Sequence, residues 1–145
     1  VFPSEPKNNK EPFISELIGR DNTILTPHIG GSTEEAQVNI AEFVPRKIID
    51  YINSGSTTNS VNFPNLTLPA LTNAHRFIHI HKNEPGVLAN INNTLAKHSI
   101  NVVGQYLKTN ESIGYVITDI DKEYAKEVKK DLKKIAGTLR FRVLY

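Results

Sequence analysis

His79-Ile80-His81-Lys82-Asn83-Glu84-Pro85-Gly86-Val87-Leu88-Ala89-Asn90-Ile91-Asn92-Asn93-Thr94-Leu95 is the stretch in which this chain switches hydrophobic period. From Arg76 to His81 apolar and polar residues alternate, as on a half-buried strand, whereas Leu88, Ile91 and Leu95 fall at helical spacing. Glu84-Pro85-Gly86 breaks the strand ladder between them and opens a helix whose first amides lack intrahelical acceptors, next to the polar side chains of His81 and Asn83. A helix start of this kind favours an anion such as a carboxylate.

Working outward, the pattern predicts strand 76–82, helix 86–98, strand 100–108, a turn at Asn110-Glu111-Ser112, strand 114–120, helix 122–136 and strand 138–144. Asp121 is expected to cap the second helix, Ala125, Val128, Leu132 and Ile135 to line its buried face, and Gly137 to end it. The order βαββαβ makes the C-terminal half an α+β, ferredoxin-like fold, an antiparallel sheet with both helices on one face. About 70 residues is small for a lone core, so the bare face or an edge of the sheet is expected to find a partner.

Upstream, residues 56–75 are a connector of low hydrophobicity, which places a domain boundary between 1–74 and 75–145. Before it, Ser32 or Thr33 can cap a long helix with Glu34 and Glu35 in its first turn and an apolar stripe of Ala36, Ile40, Val44, Ile48 and Ile52. Pro45 should kink that helix. Residues 22–27 read as a short strand stopped by Pro27, and 28–33 as a tight glycine turn. Residues 1–22, with three prolines, read as looped chain with at most a short helical piece near Phe13–Ile18.

The bulk numbers exclude several classes. The formal charge is +2, and the lysines gather on one C-terminal helix among Glu123, Glu127 and Asp131, which reads as a solvated face rather than a nucleic-acid surface. With no cysteine, disulfides and thiolate chemistry are ruled out. No apolar run is long enough for a membrane helix, and no signal core is seen, which fits a cytoplasmic protein. The chain also lacks methionine, an indication that it starts inside a longer gene product.

Three segments carry a family signature. Leu25-Thr26-Pro27-His28-Ile29-Gly30-Gly31-Ser32-Thr33 resembles the catalytic-histidine segment of the D-isomer-specific 2-hydroxyacid dehydrogenases. Gly55-Ser56-Thr57 through Val61-Asn62-Phe63-Pro64 resembles the link out of their catalytic unit, and His79 to Leu88 resembles the opening of an ACT regulatory domain. Their succession, with Gln105-Tyr106-Leu107 and Gly114-Tyr115-Val116 later, is similar to the C-terminal part of the serine-inhibited members of that family. The resemblance implies residues 1–74 as a partial catalytic unit with one long helix, and 75–145 as an ACT domain.

It implies His28 as the general acid/base of an NAD-dependent oxidoreductase of serine biosynthesis, with His28, Ile29, Gly30 and Gly31 against the cofactor. An imidazole titrates near neutral pH, and glycines let backbone approach a ring. The histidine's acidic partner, the substrate-binding arginine and a Gly-x-Gly-x-x-Gly turn are expected upstream of Val1, so this chain alone is expected to be inactive and to hold no NAD. In the ACT part the resemblance implies that His81, Asn83 and Asn101 bind L-serine between two copies paired through their ACT domains. Thr72-Asn73-Ala74-His75 stands where such members often carry a Gly-Gly hinge.

Plainer alternatives accompany these. His28 fits a loop histidine, Asn83 a simple helix cap, and His79 a surface or interface residue. A His79–His81 metal pair lacks an evident third ligand. A stand-alone amino-acid sensor is the chief rival, and an RNA-binding βαββαβ module has only Phe77 and Tyr115 to offer as stacking aromatics.

Overall fold

A computed structural model describes residues 2, 4–69, 71, 74–121, 123, 124 and 126–144. The elements are α1 (Glu34–Ser54), β1 (His75–Lys82), α2 (Val87–Lys97), β2 (Val102–Thr109), β3 (Ile113–Ile120), α3 (Lys126–Lys133) and β4 (Thr138–Leu144). The Cα framework divides into two compact units, Val1–Glu42 and Phe43–Tyr145, with the division falling inside α1. The second unit therefore reaches further back than the 75–145 segment, because the end of α1 and the connector pack on the sheet.

In the C-terminal unit the four strands run in the order β2-β3-β1-β4, all neighbours antiparallel. This is the expected ferredoxin-like arrangement. Odd-numbered β1 residues and even-numbered β3 residues face α2 and α3, where Phe77, Val116 and Ile120 join Val87, Ile91, Leu95, Ile100, Val128 and Leu132 in one core. Ile135 packs against it from just past α3, and Gly137, at φ 84°, follows the helix in the left-handed conformation expected of a stop.

The opposite face is not bare. Ile78, Tyr115, Ile117 and Leu144 are covered by Leu68, with Phe63, Leu66 and Leu71 packed beside them. Polar bonds fix this cover. The Tyr115 hydroxyl donates to the Gly55 carbonyl at 2.6 Å, and burial pushes the Tyr115 pKa far up, so it stays a donor. Arg76, fully buried, makes a two-pronged pair with Asp119 at 2.6 and 2.7 Å and donates to the Ser54 and Pro69 carbonyls. Arg142 donates to the Ile52 carbonyl at 2.6 Å. The connector is thus the sheet's second layer, so of the face and the edge expected to find a partner, the face is covered by the chain itself.

Other expectations shift too. Asp121 does not cap α3; it accepts a 3.0 Å bond from the Asn101 amide, and α3 starts at Lys126. Lys122 and Ala125 of the expected helix, and Thr72 and Asn73 of the hinge position, lie outside the described residues. Phe77 and Tyr115 are buried on opposite faces, which removes the stacking platform an RNA reader needs.

In the N-terminal unit no strand forms over 22–27; the segment is irregular after a turn closed by Thr23 N–H on the Arg20 carbonyl. The segment near Phe13–Ile18 is a run of turns. Thr33 caps α1, its hydroxyl accepting from the Ala36 amide at 3.1 Å, and Glu34 and Glu35 occupy the first turn. The helix continues through Pro45, and none of its residues is buried.

Candidate functional site

The residues singled out in the sequence fall into one cluster in each unit, with Asn101 apart from both. In the N-terminal unit His28 follows Pro27 and precedes a turn in which the Ser32 amide donates to the Ile29 carbonyl at 2.9 Å. The Gln37 side-chain amide donates to the Gly31 carbonyl and ties the turn to α1. Gly30 has open space where a side chain would stand, and Ile29 is half exposed, so this turn presents bare backbone beside the imidazole.

His28 has an acidic partner within the chain. Its Nδ1 lies 2.8 Å from Glu5 Oε2, which corrects the expectation that this partner belongs upstream. A carboxylate accepts and does not donate, so Nδ1 carries the proton and Nε2 is left to exchange one. The Glu5 pKa is held below its usual value, chiefly by this bond and next by the Phe2 amide donating to Oε1 at 3.2 Å. An ionised carboxylate fixing one tautomer of an exposed imidazole is the arrangement a general acid/base needs. Both groups line a cleft of about 620 Å³ with Phe2, Phe13, Leu25 and Pro27. Glu5 gave no signal in the sequence, because it stands in a proline-rich, aperiodic segment 23 positions from His28.

In the C-terminal unit His81 and Asn83 share the β1–α2 corner. α2 starts after Gly86, at φ 88°, with no side-chain cap. Asn83 is not the helix cap: its side-chain amide donates to the Asn110 carbonyl at 2.8 Å, and its backbone amide to Ser112 at 2.9 Å. His81 is 3% exposed, and its Nδ1–H donates to the Lys82 carbonyl at 2.6 Å. Its Nε2 is buried with no hydrogen-bond partner among the described residues.

His79 is a core residue, 2% exposed, not a surface one. Its Nε2 meets Thr138 Oγ1 at 2.7 Å, and burial first, then His81, lowers its pKa to about 4. No group of three or more metal-binding side chains occurs among the described residues.

Asn101 does not join this corner. It precedes β2, at the end of the sheet where Val102 pairs with Ile120, whereas Lys82 pairs with Ile113 at the other end. One copy therefore holds the His81–Asn83 pair and Asn101 at opposite ends of its sheet.

Comparison with known proteins agrees with this anatomy. Residues 77–140 match the family of the AHAS small subunit-like ACT domain. Over its full length the chain is 48% identical to D-3-phosphoglycerate dehydrogenase of Escherichia coli strain K12, and 39% identical to D-3-phosphoglycerate dehydrogenase 1 of Saccharomyces cerevisiae. It covers 36% and 34% of those proteins, so it spans about a third of the length of the curated relatives it matches. The crystal structure of the ACT domain from GTP pyrophosphokinase of Chlorobium tepidum aligns with 49% of this chain and 96% of that one, at 15% identity and a TM-score of 0.45. No helix among the described residues is long and apolar enough to cross a membrane. The chain matches the C-terminal region of D-3-phosphoglycerate dehydrogenases along its whole length, and its four-stranded unit, of ferredoxin-like topology, is similar over residues 77–140 to the ACT-domain family.

Proposed function

We propose that this chain is the C-terminal part of an NAD-dependent D-3-phosphoglycerate dehydrogenase of serine biosynthesis, and that its ACT domain binds L-serine at an interface between two copies. The observation that carries the regulatory half is the placement of His81 and Asn83 at one end of the sheet and of Asn101 at the other. β2 is an edge strand. Antiparallel pairing of two β2 edges brings the Asn101 end of one copy to the His81–Asn83 end of the next and covers both exposed edges. The α2 amides then receive the serine carboxylate, the Asn83 and Asn101 carbonyls its ammonium, and the imidazole its hydroxyl. Such a ligand has different contacts in different subunit arrangements, which is what feedback control requires.

For the catalytic half, His28 held by Glu5 would take the proton from the substrate hydroxyl in one direction and return it in the other. NAD, when held by the whole enzyme, would supply the hydride acceptor. This chain contributes the proton at His28 Nε2 and the open backbone of Gly30 and Gly31. Calorimetry with L-serine tests the regulatory half: heat of binding is expected from the chain and none from the His81→Ala, Asn83→Ala double variant. No heat at millimolar serine from a folded dimer overturns it.

A further inference from the structure

We propose that Gly114 is a positioning residue of the effector corner, the missing side chain that creates the seat of the His81 imidazole. The proposal deepens the serine reading and rests on it for the ligand, though not for the geometry. Gly114 stands opposite His81 in the β1–β3 ladder. A Cβ built on it would lie 2.2 Å from His81 Cε1, 2.4 Å from Nε2 and 2.9 Å from Nδ1, far inside contact distance. The ring therefore occupies the space that a side chain at position 114 would need.

Backbone conformation does not call for glycine here. Gly114 is not among the residues with positive φ, which are Gly19, Gly55, Gly86, Gly137, Asn59 and Ser99 among those described. Alanine is compatible with an ordinary strand position, so what excludes it is the ring alone. The imidazole is the terminal, rotatable part of its side chain and β3 is held by ladders on both sides, so the ring moves and the strand stays.

Moving the ring has a chemical consequence. The seat directs Nδ1–H to the Lys82 carbonyl and leaves Nε2 as a buried nitrogen with no partner among the described residues. In the neutral ring that atom is an acceptor, so the seat sets which nitrogen is free for a donor on the ligand and where it stands. Gly114 thereby acts on the effector through His81.

The test is Gly114→Ala in the whole chain, followed by nitrogen NMR of the histidine rings, L-serine calorimetry and thermal melting. The expected result is loss of the His81 Nδ1–H tautomer signature and at least tenfold weaker serine binding, with the fold retained. An unchanged His81 signature with unchanged serine affinity overturns the proposal. If the parent chain itself gives no heat with serine, the effector reading fails, and the tautomer signature alone decides the role of Gly114. If Gly114→Ala does not fold, the double variant Gly114→Ala, His81→Ala is expected to fold again; its failure to do so also overturns the proposal.

Discussion

The two compact units hold their chemistry in opposite ways. In the N-terminal unit no described residue is buried, and the Glu5–His28 pair is held by turns, a helix cap and side-chain bonds at the surface. In the C-terminal unit His79 and His81 sit in the interior, packed on a sheet with an apolar cluster on each face. An exposed imidazole keeps a nitrogen available for proton exchange. A buried one has its position set by packing and is suited to reporting a ligand to the rest of the fold.

Changing single residues separates these two modes. The largest effect is expected from Arg76→Leu, which removes one half of the buried pair with Asp119 and the bonds to Ser54 and Pro69. Leaving Asp119 buried and unpaired should cost about 3 to 5 kcal/mol in urea unfolding. Glu5→Gln, by contrast, should leave the unfolding curve unmoved.

The next effect is a pH dependence. The His79 pKa is depressed to about 4 in the folded chain, so between there and its ordinary value of 6.5 the unfolded chain binds the extra proton. Stability is then full above about pH 6.5 and falls as pH drops toward 4, by on the order of 3 kcal/mol. Denaturant titrations across that window should show the slope in the parent chain and lose most of it in His79→Gln. The smallest effect is Thr33→Ala, which removes the α1 cap at a cost of about 1 kcal/mol. It should lower helicity at the start of α1 and leave the unfolding midpoint of the sheet in place.

The same contrast explains what was legible in the sequence. Every strand and helix of 75–145 was readable, because period-two and helical spacings survive wherever one face is buried, as at Phe77, Ile91, Leu95, Val128 and Leu132. The second layer was not. Phe63, Leu66, Leu68 and Leu71 follow no period and are broken up by Pro64 and Pro69, so a covering segment looked like a linker. The burial of His79 was hidden by its polarity, although its position, two residues from Phe77 on the same strand face, pointed inward. Glu5 was invisible because its pairing with His28 is long-range and joins two irregular segments. His81, Asn83 and Asn101 were named through resemblance, and their separation within one copy emerges only from the strand register.

That separation also sets the decisive test. The central claim is that two copies together complete the serine site, and mixing two defective chains examines it directly. One chain carries His81→Ala and Asn83→Ala, the other Asn101→Ala, and each is refolded alone or with the other before calorimetry with L-serine. The account predicts no binding by either alone and, in the mixture, restored binding at one site per mixed dimer. Absence of binding in a mixture shown to contain mixed dimers, while the parent chain binds, would contradict it.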